Sequence, residues 1–261
     1  MGTFRQTFCI PCFRKSPAPE DCRALLEAAA KIGYPAFEIW FRENEPFDLL
    51  CELARDLGLT LASMCGHGTL NSGLNKKENH GRIRDELLAS IDVAGARGIP
   101  NLICFSGNRE GQDDAACIGT CADGLAPAVK AAEEAGIFLN IELLNSKVDH
   151  PDYQCDHSAW GVEVCRRIGS PNVRLLYDIY HMQIMEGDLC RTIADNINYI
   201  GHFHTAGNPG RHEPDDTQEI GYPAVIRAIR RTGYDRYVAH EFNPRGDRLK
   251  ALADAFRLFR C

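Results

Sequence analysis

The feature that most constrains this 261-residue chain is an eightfold alternation of short apolar runs with longer amphipathic runs. Short apolar runs are typical of buried strands, and longer runs with a 3.6-residue period are typical of helices. The predicted strands are 3–10, 36–40, 59–65, 101–106, 137–143, 172–178, 199–204 and 237–242. The predicted helices are 19–31, 46–57, 78–97, 115–135, 157–168, 188–196, 222–231 and 247–259.

Repeated strand–helix units predict parallel strands joined by right-handed crossovers. Eight such units in a chain of this length predict closure into a (β/α)8 TIM barrel, with residues 1–261 forming a single domain. A doubly wound open sheet is the alternative. It is disfavoured because no G-x-G-x-x-G motif follows the first predicted strand, where a dinucleotide-binding fold carries it.

Composition excludes several classes of partner. The formal net charge of −7 disfavours nucleic acid, which generally requires a basic surface. No apolar run approaches the roughly 20 residues that cross a bilayer, and the first residues lack a signal-peptide pattern, so we expect a cytoplasmic protein without a membrane partner. The 12 cysteines lie mostly within apolar segments, which indicates buried thiols. Cys9 and Cys12 form a C-x-x-C without the second pair of a zinc ribbon.

Four consecutive predicted strands, the fifth to the eighth, carry a metal-ligand side chain at or near the carboxyl end. These residues are Glu142, Asp178, His204 and Glu241. Catalytic groups of a barrel cluster at these strand ends, so we expect the four to converge. Three adjacent carboxylates would raise one another's pKa values unless a cation neutralises them. Mixed oxygen and single imidazole ligation favours one Mn²⁺ or Mg²⁺ ion, with Co²⁺ and Zn²⁺ as further options.

Several histidines lie close to these strand ends. Adjacent strand residues point to opposite faces, so His240 is interpreted as structural if Glu241 points into the barrel mouth. By the same rule His202 shares the face of His204, and we expect it to contact the substrate or a ligand residue. For His67, after the third strand, two interpretations stay open: a substrate contact, or a loop histidine bonded to backbone.

The longest irregular stretches are 66–77, 145–156 and 205–219. Each follows a predicted strand, so all three are expected on the catalytic face. Trp40 and Phe41 follow the second strand and either line the pocket or pack against helix ends.

The motifs around the strand ends resemble those of a known family. They are Ile141-Glu142-Leu143-Leu144-Asn145, Tyr177-Asp178-Ile179-Tyr180-His181-Met182-Gln183, Gly201-His202-Phe203-His204-Thr205-Ala206-Gly207, Gly221-Tyr222-Pro223 and His240-Glu241-Phe242. Together they resemble the hydroxypyruvate isomerase family, which belongs to the xylose-isomerase-like barrels and is related to the ketose 3-epimerases. The resemblance runs over essentially the whole chain.

The resemblance implies that the four strand-end residues bind the metal and that Glu142 and Glu241 form the acid/base pair. It also implies substrate-binding roles for His181 and for Arg211. The epimerases carry a second glutamate six residues after the first, where this chain has Val148. This departure disfavours a 3-epimerase.

The expected function is therefore a metal-dependent isomerase of carbohydrate metabolism. It would interconvert a small hydroxy-carbonyl substrate of the hydroxypyruvate and tartronate semialdehyde type by enediolate proton transfer. Ketose 3-epimerase and oxo-tetronate isomerase are alternatives of the same class. Alternatives of other classes are a DNA repair nuclease like AP endonuclease IV, which uses three zinc ions, and a non-catalytic binding barrel. Relatives are often dimers or tetramers, so self-association is expected.

Overall fold

Eight parallel strands make up one sheet in the computed structural model, which describes residues 2–260. They are β1 (Arg5–Phe8), β2 (Ala36–Glu38), β3 (Thr60–Cys65), β4 (Asn101–Cys104), β5 (Phe138–Glu142), β6 (Val173–Asp178), β7 (Ile200–Thr205) and β8 (Tyr237–His240). The strand order is β1-β8-β7-β6-β5-β4-β3-β2. A parallel bridge between Cys9 and Glu38 joins the two ends of this order. The sheet is thus a nearly closed barrel, and the predicted (β/α)8 fold is confirmed.

Within residues 2–260 there are ten α-helices. They are α1 (Ile10–Phe13), α2 (Pro19–Ile32), α3 (Phe47–Leu57), α4 (His80–Arg97), α5 (Asp114–Ala135), α6 (Ser158–Ile168), α7 (Ile179–Met185), α8 (Leu189–Asn196), α9 (Tyr222–Arg231) and α10 (Arg248–Leu258). Eight of them match the predicted helices to within two residues at either end. The short helices α1 and α7 were not predicted.

Seven of the eight strands are shorter than predicted, and one of these differences affects a candidate site residue. The eighth strand was expected to reach residue 242, but the ladder ends at His240. Glu241 therefore follows β8, where its backbone N–H donates to the carbonyl of Thr205 at 3.0 Å. The second strand ends at Glu38, next to a register shift between Phe37 and Glu38.

The chain divides into two compact units, each described by itself. The first unit contains the residues up to Met64 and those from Phe203 onward, and the second unit runs from Cys65 to His202. That the whole chain is a single domain stays a prediction.

In the first unit, the pairing of β1 with β8 sets the level of the strand ends. Phe8 lies opposite His240, so Cys9 and Glu241 follow at the same edge. The ring of Phe8 is fully buried and packs edge-on against Phe13 and Tyr34. Burial of such rings stabilises the unit because aromatic side chains remove large apolar areas from water.

In the second unit, β4, β5 and β6 pair in parallel. Ile141 lies opposite Leu175, and Glu142 lies opposite Leu176. The carboxyl ends of β5 and β6 therefore lie at the same edge, and the two strands end in Glu142 and Asp178.

Five cysteines of the second unit behave as small apolar residues. Cys104, Cys117, Cys121, Cys155 and Cys165 are buried free thiols, and burial raises the pKa of each of them. A raised pKa keeps these thiols protonated and unreactive at neutral pH. This agrees with the sequence interpretation. None of the helices within residues 2–260 has the length and apolarity needed to cross a membrane.

Candidate active site

His204 is the centre of a buried cluster in the first unit. Its Nδ1 atom lies 3.2 Å from Oε2 of Glu241, and its Nε2 atom lies 3.2 Å from Oε2 of Glu38. None of the three residues is more than 4% exposed. Glu38 ends β2, His204 lies near the end of β7 and Glu241 follows β8. The carboxyl ends of these strands therefore position all three side chains.

Glu241 is held at both carboxylate oxygens. The indole N–H of Trp40 donates to Oε1 at 2.7 Å, and the guanidinium of Arg211 donates to Oε2. Burial alone would raise the pKa of Glu241, but Arg211 and His204 outweigh this effect and hold that pKa well below its usual range. Glu241 is therefore an oriented carboxylate that is ionised at neutral pH.

The backbone of the loop after β7 presents Arg211. This residue adopts φ 54°, and Gly210 before it adopts φ 95°, a left-handed conformation that glycine enters without steric cost. The carbonyl of Arg211 accepts a hydrogen bond from the N–H of Asn243 at 2.8 Å. Two loops thus fix the arginine, whose side chain is 23% exposed.

Cys9 offers an additional donor atom in the first unit. Its sulfur lies 4.0 Å from Oε2 of Glu38. One ligand atom each of Cys9, His204 and Glu241 also lies within 4.8 Å of the others. A thiol at this position was not among the predicted ligands.

In the second unit, Asp178 is 1% exposed and is linked to His181. Its Oδ1 accepts the backbone N–H of His181 at 3.1 Å, so Asp178 also caps helix α7. Its Oδ2 lies 3.6 Å from Nε2 of His181. Glu142, at the end of the neighbouring strand, is 6% exposed. Two buried carboxylates thus end two adjacent strands.

A chain of polar contacts orients His181, which is fully buried. The amide nitrogen of Asn145 lies 2.6 Å from Nδ1 of His181 and donates to it, which places the ring proton on Nε2, facing Asp178. The same amide donates to Asp149, which also accepts the hydroxyl of Tyr180. The structure therefore places His181 against a predicted metal ligand.

His67 uses both ring nitrogens on backbone groups. The N–H of Phe105 donates to Nε2 at 2.9 Å, so the ring proton is on Nδ1, which donates to the carbonyl of Gly68 at 3.0 Å. Of the two interpretations left open for His67, the geometry supports the loop histidine bonded to backbone. Burial lowers its pKa to about 4.

This lowered pKa predicts acid sensitivity. His67 is neutral in the folded chain and takes up a proton on unfolding at acidic pH. Its contribution to the unfolding free energy is therefore complete above pH 6.5 and is lost as the pH falls from 6.5 to about 4. The cost from pH 7.5 to pH 5 is about 2 kcal/mol of unfolding free energy. Urea unfolding of the wild type and His67→Gln at both pH values measures it. Parallel losses in the two proteins would contradict it.

Two further histidines, one in β7 and one in β8, differ in their surroundings. His240 is buried, with Thr205 Oγ1 at 2.9 Å from Nδ1, Gln6 Oε1 at 3.1 Å from Nε2 and the ring of Phe259 packed edge-on. Burial lowers the pKa of His240 to about 3, which agrees with the structural role expected for it. His202, in β7, is fully buried.

Taken together, the strand ends carry a buried cluster of histidine, glutamate and aspartate side chains that could hold a metal ion. Such donors combine negative charge with one or more imidazoles, a set suited to hard or borderline divalent ions.

Sequence reasoning missed Glu38, and it did not foresee the contact of Trp40 with Glu241. The signal for Glu38 was present, since a carboxylate stands inside the apolar run Ala36-Phe37-Glu38-Ile39-Trp40. Glutamate is rarely fully buried unless it is paired, so such a residue at a strand end indicates a partner.

Comparison with known proteins adds the family context. The model of the xylose isomerase-like TIM barrel family matches residues 26–260. The 2-oxo-tetronate isomerase of Pectobacterium atrosepticum is 31% identical over 226 residues, which cover 84% of this chain and 86% of that protein. The putative hydroxypyruvate isomerase of Homo sapiens is 27% identical over 243 residues, which cover 88% and 87%.

A solved structure agrees with the fold. The AP endonuclease, family 2, from Brucella melitensis superposes with a TM-score of 0.82 and 27% sequence identity, covering 98% of this chain and 99% of that one.

Proposed function

Because this chain belongs to the xylose isomerase-like TIM barrel family and is an isomerase acting on a small molecule, we propose that it is metal-dependent. We propose further that it interconverts a small hydroxy-carbonyl acid of the hydroxypyruvate and tartronate semialdehyde type. The observation that carries this proposal is a buried carboxylate or imidazole at each of four strand ends that are consecutive in the sheet. These residues are Glu142, Asp178, His204 and Glu241.

The donor set fits a divalent ion. Three of the four side chains are carboxylates that are at most 6% exposed, and buried carboxylates need a neutralising charge to stay ionised. Oxygen donors with one imidazole suit Mn²⁺ or Mg²⁺, and Co²⁺ or Zn²⁺ are accommodated by the same set. When bound, such an ion would polarise the substrate carbonyl and lower the pKa of the adjacent C–H group.

Glu142 and Glu241 are proposed as the acid/base pair. One carboxylate removes the proton from the carbon that bears the hydroxyl group, which gives the enediolate form of the substrate. A proton is then delivered to the former carbonyl carbon, while the hydroxyl proton moves to the former carbonyl oxygen. No atom is gained or lost. The hydrogen bonds from Trp40 and Arg211 to Glu241 support this role because they fix the direction of its lone pairs.

Arg211 and His181 are proposed to bind the substrate, together with His202. A guanidinium has five N–H donors in a planar fork, which can hold a carboxylate through both oxygens. Arg211 is partly exposed, and its guanidinium donates a hydrogen bond to Glu241. A substrate carboxylate bound to Arg211 would therefore lie next to the proposed base. This favours an oxo acid over a neutral sugar. The names of the two curated relatives point to small oxo acids as well.

A substrate panel tests the proposal. The protein with added Mn²⁺ or Mg²⁺ is incubated in D₂O with hydroxypyruvate, a 2-oxo-tetronate and a ketohexose, and proton NMR follows deuterium incorporation and product formation. We expect kcat/KM for an oxo acid to exceed that for the ketohexose by at least about tenfold, because Arg211 pairs with the acid. Preferred epimerisation of the ketohexose would contradict the proposal.

A further inference from the structure

Glu38 is a fully buried carboxylate with no role in the proposed proton transfer. Its Oε2 atom lies 3.2 Å from Nε2 of His204, while Nδ1 of the same ring faces Oε2 of Glu241 at 3.2 Å. The two ring nitrogens of His204 therefore face different partners on opposite sides of the ring.

A metal-binding role for His204 restricts the protonation of this ring. A neutral imidazole has one N–H and one lone pair, and an ionised carboxylate only accepts hydrogen bonds. A buried carboxylate stays ionised only with a donor beside it. Nε2 of His204 faces Glu38, which is not one of the four proposed metal ligands. With an ion bound, a single proton on Nε2 satisfies Glu38 and leaves the lone pair of Nδ1, on the side of Glu241, for the ion.

We propose that Glu38 is a positioning residue that accepts the Nε2–H of His204 and thereby makes Nδ1 the metal-ligand atom. This inference rests on the proposed function, in which His204 binds the ion. A carboxylate behind a ligating histidine fixes its tautomer and ring orientation and raises its basicity, and loss of such a partner typically weakens metal binding by about 10–100-fold.

The variant Glu38→Gln tests the proposal. Its amide keeps the size of the side chain and an acceptor oxygen but loses the negative charge. We expect the Kd for Mn²⁺, measured from the electron paramagnetic resonance signal of unbound Mn²⁺, to rise by about 10–100-fold. Isomerase activity should be lost at limiting Mn²⁺ and recover as Mn²⁺ is raised towards saturation. Such recovery distinguishes a weakened metal site from a damaged fold.

Glu43→Gln is the matched control. It makes the same loss of charge at a glutamate whose side chain is 67% exposed. This variant should bind Mn²⁺ like the wild type. If Glu43→Gln weakens Mn²⁺ binding as much as Glu38→Gln does, the effect comes from the lost negative charge alone and not from the contact with His204, and the proposal is wrong.

A measurement on the wild type covers the case in which Glu38→Gln does not fold. Long-range ¹H–¹⁵N spectra of the Mg²⁺-loaded protein report the tautomer of each histidine, and His204→Gln identifies the signal of His204. A proton on Nε2 supports the proposal, and a proton on Nδ1 overturns it.

The two proposals fail in different ways. If the wild type binds no Mn²⁺, the metal-dependent function fails and this inference fails with it. If the wild type binds Mn²⁺ and Glu38→Gln binds it equally tightly, only the role of Glu38 is refuted.

Discussion

Glu241→Gln is expected to lower kcat by about 10²–10⁴-fold, the usual contribution of a positioned general acid or base. The structure gives the reason, because Trp40 and Arg211 orient this carboxylate and the charge of Arg211 helps to keep it ionised. An amide has nearly the same shape but cannot take up a proton at neutral pH. Steady-state kinetics and the rate of solvent deuterium incorporation into the substrate measure the effect.

Two controls separate proton transfer from other losses in this variant. Glu43→Gln changes a glutamate whose side chain is 67% exposed, and it should retain wild-type kcat. Kinetics of Glu241→Gln at saturating Mn²⁺ separate a loss of the base from a loss of the ion, since Glu241 is also a proposed ligand. Deuterium incorporation at the wild-type rate would refute the role of Glu241 as a base.

Much of the fold was predictable because the helix ends are marked by strong local signals. Helices α2, α3, α4 and α5 are each followed directly by a glycine in the left-handed conformation. These glycines are Gly33, Gly58, Gly98 and Gly136. Glycine adopts this conformation without the steric cost that other residues incur, so it identifies a helix end in the sequence itself.

The short helices could not be predicted for an equally local reason. Helix α7 has only seven residues and begins directly after β6. No loop separates them, because Asp178 ends the strand and caps the helix with the same side chain. A periodicity that needs 11–18 residues cannot detect so short a helix.

For the candidate site, sequence spacing predicted which residues stand at strand ends but not which partners they contact. The resemblance implied a substrate contact for His181, whereas for His67 a substrate contact and a loop histidine bonded to backbone both stayed open. The structure binds both ring nitrogens of His67 to backbone and places His181 between Asn145 and Asp178. Partner choice depends on loop conformation and side-chain rotamers, which one sequence does not encode in a readable pattern.

Removal of the metal is expected to abolish isomerisation. Chelation with EDTA followed by gel filtration should give an inactive protein, and added Mn²⁺ or Mg²⁺ should restore activity. The physical reason is twofold: the ion would activate the substrate carbonyl, and its charge would offset the repulsion among Glu142, Asp178 and Glu241. Full activity in the metal-free protein would contradict the proposed function.

The same preparation tests the nature of the site by stoichiometry and stability. About one ion per chain is expected for this isomerase chemistry, whereas about three zinc ions would favour the nuclease alternative. An ion that binds only the folded chain should also raise the unfolding free energy by about 2.7 kcal/mol at a concentration 100 times its Kd. Asp178→Asn should remove most of this stabilisation, because a buried amide ligand lacks the charge that attracts the ion. Equal stabilisation of the wild type and Asp178→Asn would place the ion elsewhere, so it would exclude Asp178 as a ligand even if activity required the metal.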